Sequence, residues 1–315
     1  MNQVLKVGMS GTLVESLQLK FNMPVNGVFD ANLKNNITEF QTKNGLLPDG
    51  IVGPLTWDKL NIRPDEIFAD TDSNTSASWI IQYPLPEGEY VDTATSKKWI
   101  ILHANHGTSD PYKQIDEWAK DQRGRVGSHY VIGGPNPALD INLENTENDG
   151  VILQAIKDLY YGFHLGAVKN QMLQTNSISI ELCSAGPLTK KHDKYFTWYG
   201  LEVHPSQVVE LNGTFKEHRY FHKYSEKQIE SLKALLLLIR NRHGINLKSG
   251  IYEELIKPIS KPGSITTLQD IAPYEWSAKN EAGKVEGLFT HGNLNKHKLD
   301  LSPQPELSQM IRSLQ

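Results

Sequence analysis

The sequence contains one cysteine, Cys183, among 315 residues. A single cysteine excludes an internal disulfide framework and is typical of a protein made in a reducing compartment. The net charge of −4 gives no basic excess that would favour nucleic acid or an anionic membrane. The longest apolar run, "ALLLLI" at 234–239, is far shorter than the roughly 20 residues of a membrane span. We therefore expect no nucleic-acid partner, no membrane insertion, and a monomer.

The N-terminus, "MNQVLKVGMSGTL", also lacks the charged region and apolar core of a signal peptide. Synthesis in the cytoplasm is expected, so action outside it requires another route, such as release through a membrane pore. Hydrophobic residues make up 38% and charged residues 22% of the chain, which predicts a packed globular protein. The length predicts two or three domains.

The N-terminal part contains a short internal repeat. The stretches "VNGVFDANLK" (25–34) and "PDGIVGPLTW" (48–57) share Asn-Gly or Asp-Gly, an apolar pair, a turn and a helix start. Between them, "NLKNNITEFQTKNG" spaces Leu33, Ile37 and Phe40 as one helical stripe. These motifs resemble the small three-helix peptidoglycan-binding domain of cell-wall hydrolases. Asp30 stands where glycine is common, so a weaker turn is expected there.

The domain boundaries are predicted from a change in composition along the chain. After Leu60 the sequence loses its periodicity and fills with Asp, Ser, Thr and Asn, which is typical of a linker. We predict a peptidoglycan-binding domain at 1–62, a linker at 63–78 and a catalytic domain at 79–315.

Two predicted strands of the larger domain carry groups capable of chemistry. "WIIL" (99–102) is an apolar run that predicts a buried strand, and His103 follows it. Alternation in "SISIEL" (177–182) places Ser177, Ser179 and Glu181 on one face. From these residues alone, His103 is either a cleft residue or a hydrogen-bonded structural histidine. Glu181 is either a partnered buried carboxylate or the exposed side of an edge strand.

The helices of this domain are predicted from periodicity and caps. "PYKQIDEWAKDQ" aligns Ile115, Trp118 and Ala119 on one helical face. In "SEKQIESLKALLLLIRNRHG", Ser225 and Gln228 form a capping box and Gly244 ends the helix.

Five segments occur in the order of a known family: "WIILHANHG", "GSHYVIGG", "FHLGA", "SISIEL" and "THGNLNKHKLDLSP". Together they resemble the zinc-dependent N-acetylmuramoyl-L-alanine amidases of the amidase-2 family, which are related to peptidoglycan-recognition proteins. The resemblance runs discontinuously from about 97 to 303. It implies an α/β fold in which helices flank a mixed central sheet.

The resemblance also implies the site, which spacing alone does not select. It implies one Zn²⁺ per chain and a role for each of six residues: His103, His291 and Asp300 as metal ligands, Glu181 and Lys298 as catalytic groups, and His164 beside the substrate. Two imidazoles and a carboxylate suit Zn²⁺ and leave a position for water.

Three departures from the family pattern leave questions open. The segment from His291 to Asp300 is shorter than in many relatives, so His297 is a rival ligand. Ser128 stands where some phage members carry a catalytic tyrosine, which favours the route through Glu181. Residues 183–224 and 245–290 are longer than a minimal amidase needs.

The implied function is hydrolysis of the amide between N-acetylmuramic acid and L-alanine in peptidoglycan, with a phage endolysin as the leading interpretation. One alternative is a non-catalytic peptidoglycan receptor on the same fold. Another is a bacterial amidase of wall remodelling or recycling.

Overall fold

The structure is a computed structural model that describes residues 5–9, 14, 17–18, 20–21, 23, 27–60, 77, 79–142, 148–166, 168–256 and 271–314. The chain divides into two compact units, Met1–Ile80 and Ile81–Gln315. Within these described ranges, the helices are too short or too polar to cross a bilayer.

The N-terminal unit contains helices α1 (Ala31–Lys43) and α2 (Pro54–Leu60). Asp30, expected to weaken its turn, instead caps α1 by accepting a hydrogen bond from the Leu33 amide. Leu33 and Ile37 are fully buried, as their helical spacing predicts. The predicted first helix lies largely outside the described residues, so the three-helix arrangement stays a prediction.

The second unit is built on a mixed six-stranded sheet in the order β1-β4-β3-β5-β2-β11. Strands β11, β2, β5 and β3 run parallel to one another, whereas β4 is antiparallel to β3. The mixed sheet with helices is the predicted fold class, which the structure confirms. The strands are β1 (Ile80–Gln82), β2 (Trp99–Ala104), β3 (Tyr130–Ile132), β4 (Ile152–Gln154), β5 (Ser177–Leu182) and β11 (Gly287–Thr290).

The two central strands are buried along their whole length. All six residues of β2 and all six of β5 are buried, because sheet neighbours lie on both sides and other elements cover both faces. His103 is therefore part of β2 and does not follow it. Glu181 belongs to a central strand, so the exposed edge-strand alternative is wrong.

The helices of this unit are α3 (Pro111–Trp118), α4 (Gln171–Thr175), α5 (Glu226–His243), α6 (Ile251–Leu255), α7 (Ala278–Glu281), α8 (His291–Leu294) and α9 (Pro305–Arg312). The capping box of Ser225 and Gln228 on α5 is confirmed. So is the left-handed Gly244 that ends this helix, with φ of 69°.

A second, antiparallel sheet of five strands has the order β8-β7-β6-β10-β9 and was not predicted. This sheet fills most of residues 183–224, one of the two segments that are longer than a minimal amidase needs. Its strands are β6 (Pro187–Lys191), β7 (Lys194–Phe196), β8 (Glu202–Val203), β9 (Val208–Phe215) and β10 (His218–His222).

Candidate metal centre and active site

The predicted metal ligands come from three places in the chain that the sheet brings together. His103 lies on β2, and His291 is the first residue of α8, directly after β11. Because Thr290 of β11 pairs with Leu102 of β2, the two histidines directly follow paired residues of adjacent parallel strands. Asp300 lies in the segment after α8 and is buried. The carboxyl end of a parallel sheet is a common place for a functional site.

Three ligand atoms converge on one point. His103 Nδ1 lies 3.1 Å from His291 Nδ1 and 3.2 Å from Asp300 Oδ2, and His291 Nδ1 lies 3.0 Å from Asp300 Oδ2. Ligands about 2.0–2.1 Å from a tetrahedral zinc ion are about 3.3 Å apart, so this triangle has nearly the size that such an ion requires. In the described part of the chain, these three residues form the group that could hold a metal ion.

A relay of hydrogen bonds orients His103. Its Nε2 lies 2.9 Å from His164 Nδ1, and His164 Nε2 lies 2.8 Å from Ser177 Oγ. Burial lowers the pKa of His164 well below its usual value, so this ring is neutral and carries one proton. If that proton faces Ser177, His164 Nδ1 accepts the Nε2 proton of His103. His103 Nδ1 is then left as a lone-pair donor towards the cluster.

The charge state of the cluster suits a cation. Burial lowers the pKa of His103 to about 4, which keeps this imidazole neutral and able to ligate at neutral pH. Burial opposes ionisation of Asp300, but the neighbouring His291 and His103 hold its pKa well below the usual range. A buried carboxylate beside an uncharged imidazole is a favourable environment for a divalent ion.

Glu181 lies on β5 in register with His103 of β2. Residues in direct register on parallel strands project from the same face of the sheet, so the carboxylate faces the side of the cluster. Burial, and then the negative charge of Asp300, raise the pKa of Glu181 to about 8. A carboxylate whose pKa is raised towards neutrality suits proton transfer near pH 7.

A cavity of about 820 Å³ opens over these groups. Lys298 is exposed on its wall, close enough to lower the pKa of both Glu181 and His103. The rival ligand His297 is exposed in the same wall and lies outside the three-residue cluster. His164 also lines the cavity. Its role beside the substrate stays a prediction.

Residues 94–280 match the family model of N-acetylmuramoyl-L-alanine amidase. The chain belongs to this amidase family. Residues 14–60 match the model of a peptidoglycan binding domain. The predicted family and enzyme class are thereby confirmed. The amidase match contains His103, His164 and Glu181, whereas His291, Lys298 and Asp300 follow it, so the individual roles of these residues stay predictions.

Individual similar proteins match short segments of the chain or have low sequence identity. An uncharacterised protein from Kitasatospora aureofaciens is 42% identical over 64 residues, covering 18% of this chain and 54% of that protein. The chain thus spans about half the length of this curated relative. Among solved structures, PlyL is 9% identical over 74% of this chain and 97% of its own, with a TM-score of 0.36. The amidase AmiD from E. coli, solved with an anhydro-N-acetylmuramic acid peptide as substrate, is 20% identical over 50% and 48%, with a TM-score of 0.30.

Ser128 is a site residue whose present role the sequence did not reveal. Its buried hydroxyl, just before β3, donates a hydrogen bond of 3.3 Å to Glu181 Oε2. The bond stabilises the charged carboxylate and so lowers the pKa of Glu181. A hydroxyl donor just before the strand next to Glu181 was the available signal, but it needed the pairing of β3 with β5 to be recognised.

Ser128→Ala is therefore expected to raise the pKa of Glu181 and to move the acidic limb of the amidase pH–rate profile to higher pH. A hydrogen bond to a charged group is worth about 1.5–3 kcal/mol, which corresponds to a displacement of about one to two pH units. The measurement is kcat/KM against pH for Ser128→Ala, for the parent protein and for the control Ser109→Ala, which changes a half-buried serine in the loop after β2. An acidic limb that stays in place in Ser128→Ala would contradict this role.

The two other histidines beside the motifs differ in their surroundings. His129 is fully buried, with Nδ1 2.9 Å from Ser179 Oγ and Nε2 2.9 Å from the carbonyl oxygen of Tyr160. These contacts give it a structural role between β3 and β5. His106 lines the cavity and lies in the loop that follows β2.

Proposed function

We propose that this amidase hydrolyses the amide between N-acetylmuramic acid and L-alanine with a zinc ion held by His103, His291 and Asp300. The observation that carries the proposal is the buried triangle of two Nδ1 atoms and one carboxylate oxygen, with sides of 3.0 to 3.2 Å, at the base of a large cavity. Two nitrogens and one oxygen are a donor set that Zn²⁺ accepts in hydrolases, with the fourth position open.

When bound, the zinc ion supplies a Lewis acid that lowers the pKa of water from 15.7 to about 7. Glu181 accepts a proton from the attacking water as the water oxygen bonds to the lactyl carbonyl carbon. The carbon–nitrogen bond then breaks, and Glu181 returns the proton to the departing amine of L-alanine. The Lys298 ammonium stabilises the negative charge that develops on the carbonyl oxygen. The products are a lactyl carboxylic acid and a free amine, so atoms and protons balance.

The N-terminal domain contributes binding to the same polymer. Attachment through a second module raises the effective concentration of scissile bonds near the catalytic domain without adding catalytic contacts. The match of residues 14–60 to a peptidoglycan binding domain supports this part of the proposal.

The function is tested on purified cell wall. The full chain, supplied with Zn²⁺, is expected to release glycan with free lactyl groups and peptides with a new N-terminal L-alanine, identified by mass spectrometry and amine labelling. The matched control is the same protein with Glu181→Ala. Binding to the wall without new amine groups would instead identify a receptor on the amidase fold.

We further propose that the protein is a phage lysin that reaches the wall through a membrane pore. A wall-binding domain joined to an amidase domain supports a lytic enzyme, and it is equally compatible with bacterial wall remodelling. The neighbouring genes decide between them. Phage structural genes and a pore-forming gene are expected next to this one, and genes of wall synthesis would overturn the phage assignment.

A further inference from the structure

The second, five-stranded sheet carries an exposed pair of aromatic rings beside the active-site cavity. Trp198 is 72% exposed and Tyr199 is 44% exposed, in the turn between β7 and β8. Their rings meet edge to face with centroids 5.4 Å apart. Leu201, at the end of the same turn, is 37% exposed. We call Trp198 and Tyr199 the aromatic platform.

The aromatic platform is held rigidly by its own turn. The Thr197 amide donates to the Leu201 carbonyl oxygen, and the Leu201 amide donates to the Thr197 hydroxyl. Gly200 supplies the positive φ of 87° that the turn requires, and its amide also donates to the Thr197 carbonyl oxygen. Rings fixed in this way lose little conformational entropy when a ligand stacks on them.

The polar atoms of both rings are used to join the platform to the loop after β2. Trp198 Nε1 donates to the carbonyl oxygen of His106 at 2.6 Å, and the Tyr199 hydroxyl donates to that of Gly107 at 3.3 Å. The His106 ring packs on Gly186, where an added Cβ would lie 2.5 Å from it. His106 lines the cavity, so the platform continues the active-site wall outward from the ligand His103.

What remains exposed on the platform is uncharged aromatic surface. Exposed aromatic groups next to a cavity indicate a ligand that uses ring faces. The stem peptides of peptidoglycan carry carboxylates and amines, whereas its glycan offers neutral sugar rings with apolar C–H faces. The side chains of Trp198, Tyr199 and Leu201 supply no charge to pair with a peptide. The chemistry of the platform therefore favours a sugar ring.

We propose that the aromatic platform is a subsite for an N-acetylhexosamine ring of the glycan strand, beyond the muramic acid at the scissile bond. This inference rests on the proposed function, because it assumes a substrate that carries a glycan strand. The platform contributes affinity for long substrates and takes no part in bond breaking.

The test compares two substrates: a muropeptide with a four-sugar glycan and a muramoyl peptide with a single sugar. In Trp198→Ala, the ratio of the KM for the four-sugar substrate to that for the single-sugar substrate is expected to rise about tenfold, as for loss of one stacked ring. Trp198→Phe, which keeps a ring, should retain the parental ratio. Trp198→Gln, which keeps an N–H donor without the ring, should behave like alanine. Leu159→Ala, at another exposed apolar position, is the matched control.

Binding of a peptide-free four-sugar glycan, measured by calorimetry, gives a second readout that needs no catalysis. Trp198→Ala is expected to weaken this binding about tenfold. If the parent protein cleaves neither substrate, the proposed function fails, and the glycan titration still decides the fate of the subsite. An unchanged KM ratio together with unchanged glycan affinity in Trp198→Ala overturns the inference.

Two further outcomes would assign the platform another role. Equal losses on both substrates in Trp198→Phe and Trp198→Ala would show that the indole N–H positions the His106 loop. Concentration-dependent sedimentation of the parent protein that disappears in Trp198→Ala would assign the platform to self-association. Either result overturns the sugar subsite.

Discussion

Glutamine in place of Glu181 is expected to lower turnover on peptidoglycan by about 10²–10⁴-fold while leaving the metal content at the parental value. The substitution keeps the size of a side chain that is 9% exposed in a central strand, so the fold should be preserved. It removes the group that is proposed to take up and return the proton. It also removes the carboxyl of pKa about 8, so the residual rate should no longer rise with pH through that range.

The matched control for this variant is Glu117→Gln. Glu117 is an exposed carboxylate in the wall of the same cavity, so its replacement makes the same acid-to-amide change outside the cluster of reacting groups. Turnover, zinc content by mass spectrometry and thermal unfolding are measured for both variants. A Glu181→Gln protein with parental turnover, or equal losses in the two variants, would rule out general acid–base catalysis by Glu181.

The second large effect concerns the metal ligands. His103→Ala and Asp300→Asn are each expected to reduce bound zinc from one ion per chain to a small fraction and to abolish hydrolysis, because each removes one of the three proposed protein ligands. The parent protein should lose activity with a chelator and regain it with Zn²⁺. It should also unfold at higher temperature with the ion. A free zinc concentration about 100 times the dissociation constant stabilises the folded state by about 2.7 kcal/mol.

His297→Ala is the control that separates the two candidate ligand sets. His297 is exposed and outside the cluster, so its removal should leave zinc content unchanged. Asp300→Asn keeps the shape of a buried side chain, so the fold should be preserved. Loss of zinc in this variant can then be assigned to the missing carboxylate. Loss of zinc in His297→Ala with retention in Asp300→Asn would reverse the assignment of the third ligand.

Elements defined by local signals were predictable from the sequence. Helix α5 shows a period near 3.6, a capping box at Ser225 and a closing Gly244, and each signal specifies the same helix. Strands β2 and β5 were equally clear, because the apolar run of β2 and the strict alternation of β5 are visible in the sequence itself. What alternation could not decide was burial. Glu181 lies on a strand covered on both sides, which only the strand order reveals.

The five-stranded sheet was missed for a definable reason. Hairpins are recognised by Asn-Gly or Asp-Gly turns, and this sheet uses other residues. His192 has φ of 54° in the turn between β6 and β7, while Lys216 and Glu217 have φ of 47° and 70° between β9 and β10. Side chains with an ordinary preference for negative φ hold these two turns, so neither turn carries a local hairpin signal. The Asn-Gly pair of this segment, Asn212-Gly213, lies inside β9 and not in a turn.

The site was predictable only in part from residue types. His103 and His291 are 188 positions apart and Asp300 is 197 from His103, so their meeting depends on the parallel pairing of β2 with β11. The relay from His103 through His164 to Ser177 likewise joins three separate segments. The residue types indicated which side chains could hold a metal ion. That these side chains lie close together could be known only from the pairing of the strands in the sheet.

The register between β2 and β5 has a consequence for how such enzymes diversify. His103 and Glu181 are opposite each other on neighbouring strands, about 4.7–4.9 Å apart in the hydrogen-bonding direction, and main-chain bonds of a buried sheet fix this offset. The Trp198 turn is attached through loops and exposed edges. The proposed reacting groups and the proposed glycan subsite thus lie on separate elements, and exchanging the β6–β10 segment is expected to change affinity for the glycan without moving His103 or Glu181.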